Sequence, residues 1–379
     1  MRAAARPSIA VIGAGMGGLA VASILHRAGT DVRVYEQATA FERIGSGIQM
    51  SPNAVKVLRG LGLGDRVREV AFMPQGWTNR DADTGALTNE LVLGAEAEAR
   101  YGAPYLLMHR GDLHALLASV VPEAIVEREK KLTAFEDTGD RVTLAFADGT
   151  TAHADAMIAA DGVHSLVRET LFPGEEPPRY SGRIAYRTTF PAHLLGDTSI
   201  DHCTKWWGAD RHIVIYFVTS ARDEVYFTTS TPEPVSTLES WTLEGDLNAL
   251  RAAYADFHPT VRAVLAACPR VNKWAIYERN PLRRWTSGRA VLLGDACHPM
   301  TPYMAQGAAA AMEDAVVLAR CLDGVERENV AGAFRRFEAT RKPRTSELQA
   351  TSHRNTFMYR ATDPGWVYDY NAWDAPLAL

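Results

Sequence analysis

The alternation of apolar and polar positions predicts a strand–helix–strand unit at the start of the chain. Residues 8–12 are apolar and β-branched and stop at a glycine, which is typical of a short buried strand. Residues 15–28 have a helical pattern that ends at Gly29, and residues 31–35 again favour a strand. Such a unit predicts a parallel sheet with a right-handed crossover.

The later segments predict further helices and a second, β-rich region. Helical patterns cover residues 52–61, 109–121, 307–321 and much of the chain after 247. Strand patterns cover residues 81–102, 180–231 and 289–293, and residues 141–158 predict a hairpin around the turn at Asp148 and Gly149. The sequence therefore predicts an α/β protein in which a sheet-rich region interrupts a nucleotide-binding region.

A length of 379 residues exceeds what one core usually supports, so we expect two domains. One is expected to comprise residues 1–74, 106–179 and 274–379, and to bind a nucleotide and carry the C-terminal helices. The other is expected to comprise residues 75–105 and 180–273 and to form the substrate domain. Ligands usually bind between two such domains.

Composition narrows the classes of partner. The net charge of −5 and the pI of about 6.1 argue against a nucleic acid partner, which would need a basic face. The four cysteines form no CxxC pair and have no histidine at ligand spacing, so neither a disulfide framework nor a metal site is expected. The apolar run at 9–25 could imitate a signal peptide, but glycines interrupt it, and we expect a cytoplasmic protein without a membrane segment.

A glycine-rich turn is the first chemical motif. Gly13, Gly15 and Gly18 have the spacing GxGxxG directly after a strand and at the head of a helix. They permit a tight turn, a close approach of a pyrophosphate and close packing of helix on strand. Glu36 ends the second strand, where a carboxylate can accept hydrogen bonds from a ribose diol. That carboxylate would repel a ribose 2′-phosphate, so the motif favours FAD or NAD.

Three further segments distinguish FAD from NAD as the expected cofactor. Arg110 opens a helix in HRGDL, Asp161 and Gly162 lie in ADGVHS, and Asp295 lies in LLGDACHP, followed by the helix that begins at Gly307. Each segment alone fits an ordinary turn, hairpin or helix cap. In combination, and in this order, they favour a flavin site.

These motifs together resemble the single-component, class A FAD-dependent aromatic hydroxylases, the family that includes salicylate hydroxylase and 6-hydroxynicotinate 3-monooxygenase. The resemblance covers nearly the whole chain and is strongest to the latter, through HRGDLHAL, CTKWWGADRH, RDEVYF and GDACHPMTPYMAQGAA. It implies a Rossmann-like FAD-binding domain of the glutathione reductase/p-hydroxybenzoate hydroxylase type with an inserted β-sheet substrate domain. NADH or NADPH would bind transiently, since the sequence contains no second GxGxxG motif.

The resemblance also implies which residues bind the cofactor. Asp295 would bind the ribityl chain, and Gly307 would begin a helix directed at the flavin's pyrimidine end, where a helix N-terminus stabilises negative charge. The complete expected set is Gly13, Gly15, Gly18, Glu36, Gln37, Arg110, Leu132, Asp161, Asp295, Gly307 and Ala308.

The reaction implied by the family is attack of a flavin hydroperoxide, formed with O2, on an electron-rich ring. Even spacing along a strand puts His212 and Tyr216 on one face, and Cys203, Lys205 and Trp207 likewise share a face. Buried core histidine and tyrosine side chains would fit the same pattern. The expected catalytic residues are Tyr216, His212, Tyr303 and Gln49, and the expected substrate-binding residues are Cys203, Lys205, Tyr226 and Pro299.

Two positions depart from the 6-hydroxynicotinate enzymes, which have histidines where this chain has Gln49 and Tyr303. Glutamine cannot act as a base. We therefore expect a related phenolic or hydroxy-heteroaromatic carboxylate as substrate. Lys205 is the first candidate for binding its carboxylate, ahead of Arg183 and Arg187.

Several alternatives stay open at this point. Hydroxylation could be coupled to decarboxylation, and the same scaffold could serve an epoxidase, an N-hydroxylase or a non-enzymatic flavoprotein. A flavin halogenase is disfavoured because the run Trp-x-Trp-x-Ile-Pro is missing. A homodimer is compatible with the sequence.

Overall fold

A computed structural model describes residues 6–41, 43, 46–200, 203–234 and 244–379. The helices of these residues are α1 Met16–Arg27, α2 Pro52–Gly60, α3 Gly64–Val70, α4 Gly94–Tyr101, α5 Arg110–Ala118, α6 Leu166–Leu171, α7 Leu247–Ala253, α8 Pro259–Ala267, α9 Gly307–Leu322, α10 Val330–Arg354 and α11 Gly365–Tyr368. The strands are β1 Ile9–Ile12, β2 Val32–Tyr35, β3 Gly47–Met50, β4 Gly76–Asp81, β5 Leu87–Val92, β6 Leu106–His109, β7 Val126–Glu127, β8 Leu132–Asp137, β9 Val142–Phe146, β10 Thr151–Ala154, β11 Ala156–Ala159, β12 Arg179–Pro191, β13 Cys203–Trp207, β14 His212–Phe217, β15 Glu224–Pro232, β16 Asn272–Glu278, β17 Thr286–Ser287 and β18 Ala290–Leu292.

The first sheet is six-stranded, with the order β17-β18-β11-β1-β2-β7. Strands β18, β11, β1, β2 and β7 are parallel, as the strand–helix–strand pattern predicts. All residues of β1 and β11 are buried, and α1 and α9 pack close together beside the sheet. A Cβ atom at Gly17 would lie 2.5 Å from Leu293 and 3.2 Å from Ala311, so a glycine is needed where α1 meets this layer.

The second sheet is seven-stranded, with the order β16-β12-β15-β14-β13-β4-β5. It is antiparallel except for the parallel pair of β13 and β4. One face packs against α7 and α8 in a core that includes Trp206, Ile213 and Phe227. The opposite face, which we call the inner face, is directed towards the loops that follow the first sheet, because Tyr303 after β18 hydrogen-bonds Ser230 on β15 at 3.0 Å.

Two segments differ from the sequence expectations. Residues 81–102 contain β5 but also the helix α4, whose alanine, glutamate and arginine residues favour a helix that ends at a left-handed Gly102. The hairpin expected over 141–158 consists of β9 and β10 only, because residues 156–159 leave it and enter the parallel sheet as β11.

In the part of the chain that the structure describes, no helix is long and apolar enough to cross a bilayer.

Candidate active site

The glycine-rich turn joins β1 to α1 and leaves an open space beside the helix N-terminus. Gly13 has a φ of +95°, and a Cβ atom there would lie 2.5 Å from the carbonyl oxygen of Ala160. A Cβ atom at Gly18 would lie 2.0 Å from the carbonyl oxygen of Gly13, whereas one at Gly15 would meet no atom within 4 Å. Gly13 and Gly18 are therefore required by protein packing. Gly15 borders space in which a ligand can approach the first turn of α1, which has no side-chain cap.

Glu36 is held at the end of β2 by the backbone around this turn. Its carboxylate accepts hydrogen bonds from the backbone N–H groups of Ala14, at 2.7 Å, and Ala38, at 2.8 Å. The side chain stays partly exposed, and Gln37 next to it is exposed. The carboxylate is thus fixed beside the glycine-rich turn with lone pairs left for a ribose diol.

Arg110 and Asp295 form an opposed charge pair near the carboxyl ends of other strands. Both side chains are accessible to solvent, yet the surrounding protein is dense enough that desolvation raises the pKa of Asp295 and lowers that of Arg110. Their charges partly offset these shifts, because Arg110 lowers the pKa of Asp295 and Asp295 raises the pKa of Arg110. Accessible side chains with such shifted pKa values line a deep cleft rather than an outer surface.

The structure places the remaining expected cofactor residues at or just after the ends of β11, α9 and β8. Asp161 follows β11, and its Oδ2 atom accepts a hydrogen bond from Val167 N at 3.2 Å; Gly162 has a φ of +78° and open space beside it. Gly307 begins α9 and lies 3.8 Å, measured from its ideal Cβ position, from Asp295 Oδ1. Ala308 is half-buried, and Leu132 is buried at the start of β8.

Neighbouring strands bring these groups together. Strands β18, β11, β1 and β2 lie side by side and run parallel, so the residues that follow them meet at one edge of the sheet. This edge presents an uncapped helix N-terminus for a diphosphate, an anchored carboxylate for a ribose and a second carboxylate in a cleft. These residues fit FAD.

A buried ion-pair network fixes α9 behind this edge. Arg341 on α10 binds Glu313 and Asp314, each at 2.7 Å, and Asn53 on α2 donates to Glu313 at 2.7 Å. Burial alone would raise the pKa of both carboxyl groups, but the neighbouring cations outweigh it and lower their pKa values. The Cys297, His298 and Asp314 ligand atoms lie within 4.8 Å of one another. However, the Arg341 cation already holds the Asp314 carboxylate, which disfavours a metal ion there.

The inner face of the seven-stranded sheet arranges the expected substrate residues in three rows. Strand pairing puts Cys203, Tyr216 and Tyr226 opposite one another in the first row. The same pairing gives a second row of Lys205, Val214 and Thr228 and a third row of Trp207, His212 and Ser230. The prediction that His212 and Tyr216 share a face is confirmed, as is the shared face of Cys203, Lys205 and Trp207.

Lys205 is a buried cation that has no oppositely charged partner among the described residues. It is 3 % exposed, and its Nζ atom lies 3.7 Å from the centroid of the Trp207 ring. Among the residues that the structure describes, it makes no hydrogen bond or ion pair. Burial, with a further contribution from Arg183, lowers its pKa to about 7. Beside it, the Nδ2 atom of Asn79 is buried and has no hydrogen-bond partner in the described part of the chain.

The third row ends in a polar cluster around His212. Burial first, and then the charges of Lys205 and Arg183, lower the pKa of His212 well below its ordinary value, so the ring is neutral. The Tyr303 ring packs edge-on against it with centroids 5.6 Å apart. The Nε atom of Arg183 donates to Ser230 Oγ at 2.6 Å, so this guanidinium is already engaged.

Tyr216 and Gln49 meet where the first row reaches β3. Tyr216 is 2 % exposed, and a Cβ atom at Gly47 would lie 2.8 Å from its Oη atom and 2.6 Å from the Tyr226 ring. Gln49 lies two residues further along the same strand, and its side chain counteracts the effect of burial on the pKa of Tyr216. Gly47 therefore allows β3 to lie directly against the two tyrosines.

Two expected substrate residues are enclosed by protein. Cys203 is completely buried, and burial raises the pKa of its thiol, so it is not a nucleophile at neutral pH. Pro299 is buried, and its carbonyl oxygen accepts a hydrogen bond from Gln349 Nε2 at 2.9 Å. Pro299 thus ties the loop after β18 to α10.

Three residues at the site were not predicted from the sequence. Trp77 and Asn79 lie on β4, and the polar alternation of that strand could have placed them on one face. Tyr105 precedes β6 and donates a hydrogen bond to Gln49 Oε1 at 2.6 Å. No local pattern marks Tyr105, because its partner is 56 residues away.

Comparison with known proteins decides the family. A model of the FAD binding domain matches residues 6–352. The chain belongs to this FAD-binding family. The 6-hydroxynicotinate 3-monooxygenase of Bordetella bronchiseptica is 45% identical over 98% of this chain and 97% of that protein. The 3-amino-4-hydroxybenzoate 2-monooxygenase of Streptomyces cremeus is 39% identical over 91% of this chain and 86% of that protein.

Solved structures agree with the family. Klebsiella pneumoniae HpxO, complexed with FAD and uric acid, matches with a TM-score of 0.82 and 30% identity over 95% of this chain and 90% of that chain. The expected α/β fold and FAD as the cofactor are confirmed. This member of the family is an FAD-dependent aromatic-ring monooxygenase that uses NAD(P)H as its reductant.

Proposed function

We propose that this enzyme hydroxylates a small aromatic carboxylate whose ring hydroxyl lies across the ring from the carboxylate. The observation that carries the proposal is the ammonium group of Lys205 on the inner face, which pairs with none of the described residues and lies one row away from Tyr216. Bound FAD would supply the redox chemistry, taking a hydride from NAD(P)H and activating O2. The ring gains one oxygen atom, and the second leaves as water.

Lys205 would bind the carboxylate. A buried ammonium without a counterion is costly, and an incoming carboxylate removes that cost while forming a charge-assisted hydrogen bond. The unpaired Nδ2 atom of Asn79, on the neighbouring strand opposite Lys205, adds a second donor. Arg183 is a weaker candidate, because Ser230 and the carbonyl oxygen of Asp210 already occupy its guanidinium.

The spacing of the rows favours a substrate with its two polar groups at opposite ends. Residues two apart on a strand are separated by roughly 6.5 Å. The Lys205 side chain leans towards Trp207, away from the row of Cys203 and Tyr216. A carboxylate at Lys205 and a ring oxygen at Tyr216 therefore suit substituents placed across the ring. The relatives' names, 6-hydroxynicotinate and 3-amino-4-hydroxybenzoate, describe acids of this kind.

Tyr216 and His212 would act on the substrate as neutral groups. Burial raises the pKa of Tyr216 well above its ordinary value and lowers that of His212. Tyr216 can donate a hydrogen bond to the ring oxygen, while His212 and Tyr303 orient the other end of the ring. Buried aromatic residues around them would limit the access of water to the reacting carbon.

A turnover panel tests the proposal. The holoenzyme is assayed for substrate-stimulated NAD(P)H oxidation with 6-hydroxynicotinate, 3-amino-4-hydroxybenzoate and 4-hydroxybenzoate, and with salicylate and 3-hydroxybenzoate as isomeric controls. We expect the first group to stimulate oxidation and to yield products that carry one atom from labelled O2. A preference for salicylate would contradict the placement of the two polar groups, and a flat response to the whole panel would contradict the function. Measuring released CO2 in the same assays shows whether oxygen enters at the carbon that bears the carboxylate.

A further inference from the structure

Gln49 lies between two buried tyrosines, and one of them fixes the orientation of its amide. Gln49 is 6 % exposed, and its Oε1 atom accepts a hydrogen bond from the Tyr105 hydroxyl at 2.6 Å. An amide oxygen can only accept, and an amide nitrogen can only donate. Because Tyr105 occupies the oxygen, Gln49 must present its NH2 group to its other neighbours.

That other neighbour is Tyr216. Gly47 and Gln49 are two residues apart on β3 and therefore share a face, and a Cβ atom at Gly47 would lie 2.8 Å from Tyr216 Oη, so the Gln49 amide lies on the side of β3 that meets Tyr216. The pKa of Tyr216 agrees with this placement, because burial raises it well above its ordinary value and Gln49 acts in the opposite direction. Since Tyr105 occupies Oε1, the group that Gln49 offers to the Tyr216 oxygen is its NH2. The Tyr216 proton is then left for a bound ligand.

We propose that Tyr105 is a positioning residue that, by holding Gln49 Oε1, directs the Tyr216 proton towards the ring oxygen of the substrate. The inference rests on the proposed function, since it needs a phenolic ring oxygen at Tyr216. A donated hydrogen bond stabilises the ionised oxygen more than the neutral hydroxyl, and ionisation makes the ring more electron-rich. Tyr105 thereby favours the reactive form of the substrate without touching it.

Among the residues that the structure describes, no carboxylate faces Tyr216 and competes for this proton. The titratable groups that face Tyr216 or adjoin its neighbours are Tyr226, Cys203, Tyr105, Tyr368, Arg187 and Lys205. Burial raises the pKa of the tyrosines and of the thiol, so they stay neutral at physiological pH. Arg187 and Lys205 are cations or donors, and they too favour an ionised ring oxygen.

The test compares Tyr105, whose hydroxyl group hydrogen-bonds Gln49, with Tyr101, whose hydroxyl group does not. Tyr105→Phe removes the hydroxyl that holds Gln49 but keeps the ring, which packs against Trp77 and Tyr368 with centroids 6.0 Å and 5.8 Å away. Tyr101→Phe is the matched control. Its ring also packs against Tyr368, at 5.4 Å, but its buried hydroxyl has no hydrogen-bond partner within the described ranges of the chain.

The readout is the ionisation of bound substrate. Ultraviolet difference spectra of the oxidised holoenzyme saturated with the best phenolic acid of the panel are recorded across pH, together with the pH profile of kcat. We expect the apparent pKa of the bound hydroxyl to rise by roughly half to one pH unit in Tyr105→Phe, and to stay at the wild-type value in Tyr101→Phe. Gln49→Glu makes residue 49 accept from Tyr216 and should raise this pKa further.

The outcomes separate the two proposals. If wild-type enzyme turns over the phenolic acid but Tyr105→Phe ionises it at the wild-type pH, the inference about Tyr105 is overturned and the function stands. If both Phe variants shift equally, the effect is one of packing and the inference is equally overturned. If wild-type enzyme neither binds nor turns over any phenolic acid of the panel, both proposals fall together.

Discussion

The Nζ atom of Lys205 lies over the Trp207 indole ring, 3.7 Å from its centroid, and both side chains project from the same face of β13. A ring face partly compensates a desolvated cation but cannot replace a counterion. The Lys205 ammonium over Trp207 can therefore still bind an anion, and both residues are held in place by strand β13.

Replacing Lys205 with methionine should weaken the binding of carboxylate substrates. Methionine keeps a long, unbranched side chain over Trp207 but removes the charge, so we expect the Kd of the acid to rise at least tenfold, or about 1.4 kcal/mol. Titration of the flavin absorbance of the holoenzyme with substrate measures this constant. Lys205→Arg, which keeps the charge, is the matched control and should retain more of the affinity. Unchanged affinity in Lys205→Met would remove Lys205 from the carboxylate site.

The same lysine predicts how binding depends on pH. Burial, and secondarily Arg183, lowers the pKa of Lys205 to about 7, so the free enzyme loses the ammonium charge as pH rises above that value. A bound carboxylate raises this pKa, and by linkage the affinity should fall by up to tenfold per pH unit above pH 7. A benzoate without a ring hydroxyl isolates the effect, since its carboxylate stays ionised throughout. A flat profile between pH 7 and 9 would contradict it.

The glycine-rich turn predicts two different results for two similar substitutions. In Gly15→Ala the new methyl group meets no protein atom within 4 Å, so folding should be preserved while FAD affinity falls, because the methyl group enters the space for the diphosphate. In Gly18→Ala it would lie 2.0 Å from the carbonyl oxygen of Gly13, so stability should fall as well. Flavin content after purification and the thermal midpoint of the apoprotein distinguish the two. Full flavin content in Gly15→Ala would argue against the assigned position of the diphosphate.

The network behind α9 should be costly to break. Arg341 is fully buried, and Arg341→Met would leave Glu313 and Asp314 without that counterion. Losing one partner of a buried ion pair typically costs about 3–5 kcal/mol. The exposed pair of Arg100 and Asp363 is the control, and Arg100→Met should cost less than about 1 kcal/mol. Urea unfolding of the holoproteins compares them, and similar losses in both variants would contradict the importance of the network.

The sequence predicted the parts of this protein that depend on local patterns. The parallel sheet follows from the apolar runs around the glycine-rich turn, and the inner-face residues follow from the period of two in β13 and β14. Motif spacing together with the family resemblance predicted cofactor roles for Asp161, Asp295 and Gly307, and the structure places Gly307 beside Asp295.

Contacts between distant segments were not predictable in this way. The side chains beside Lys205 come from β4, which pairs in parallel with β13 although the paired residues are 126 positions apart in sequence. Tyr105 acts on Gln49 across a gap of 56 residues, and Arg341 reaches Glu313 from another helix. Helix α4 lies in a segment where the sequence predicts strands, and its alanine and glutamate residues favour the helix.

Successive residues of β13 belong to different environments, since Lys205 faces the cleft while Trp206 packs with α7 and α8 on the other side. Along β13, residues that face the substrate therefore alternate with residues that stabilise the fold. A lineage of such enzymes could adapt to new aromatic acids by substitutions at every second position, with little penalty to the scaffold. Insertion of a single residue in β13 would move the inner-face residues to the face packed against α7 and α8, and the packed residues to the inner face. Substrate binding and stability would then be lost together.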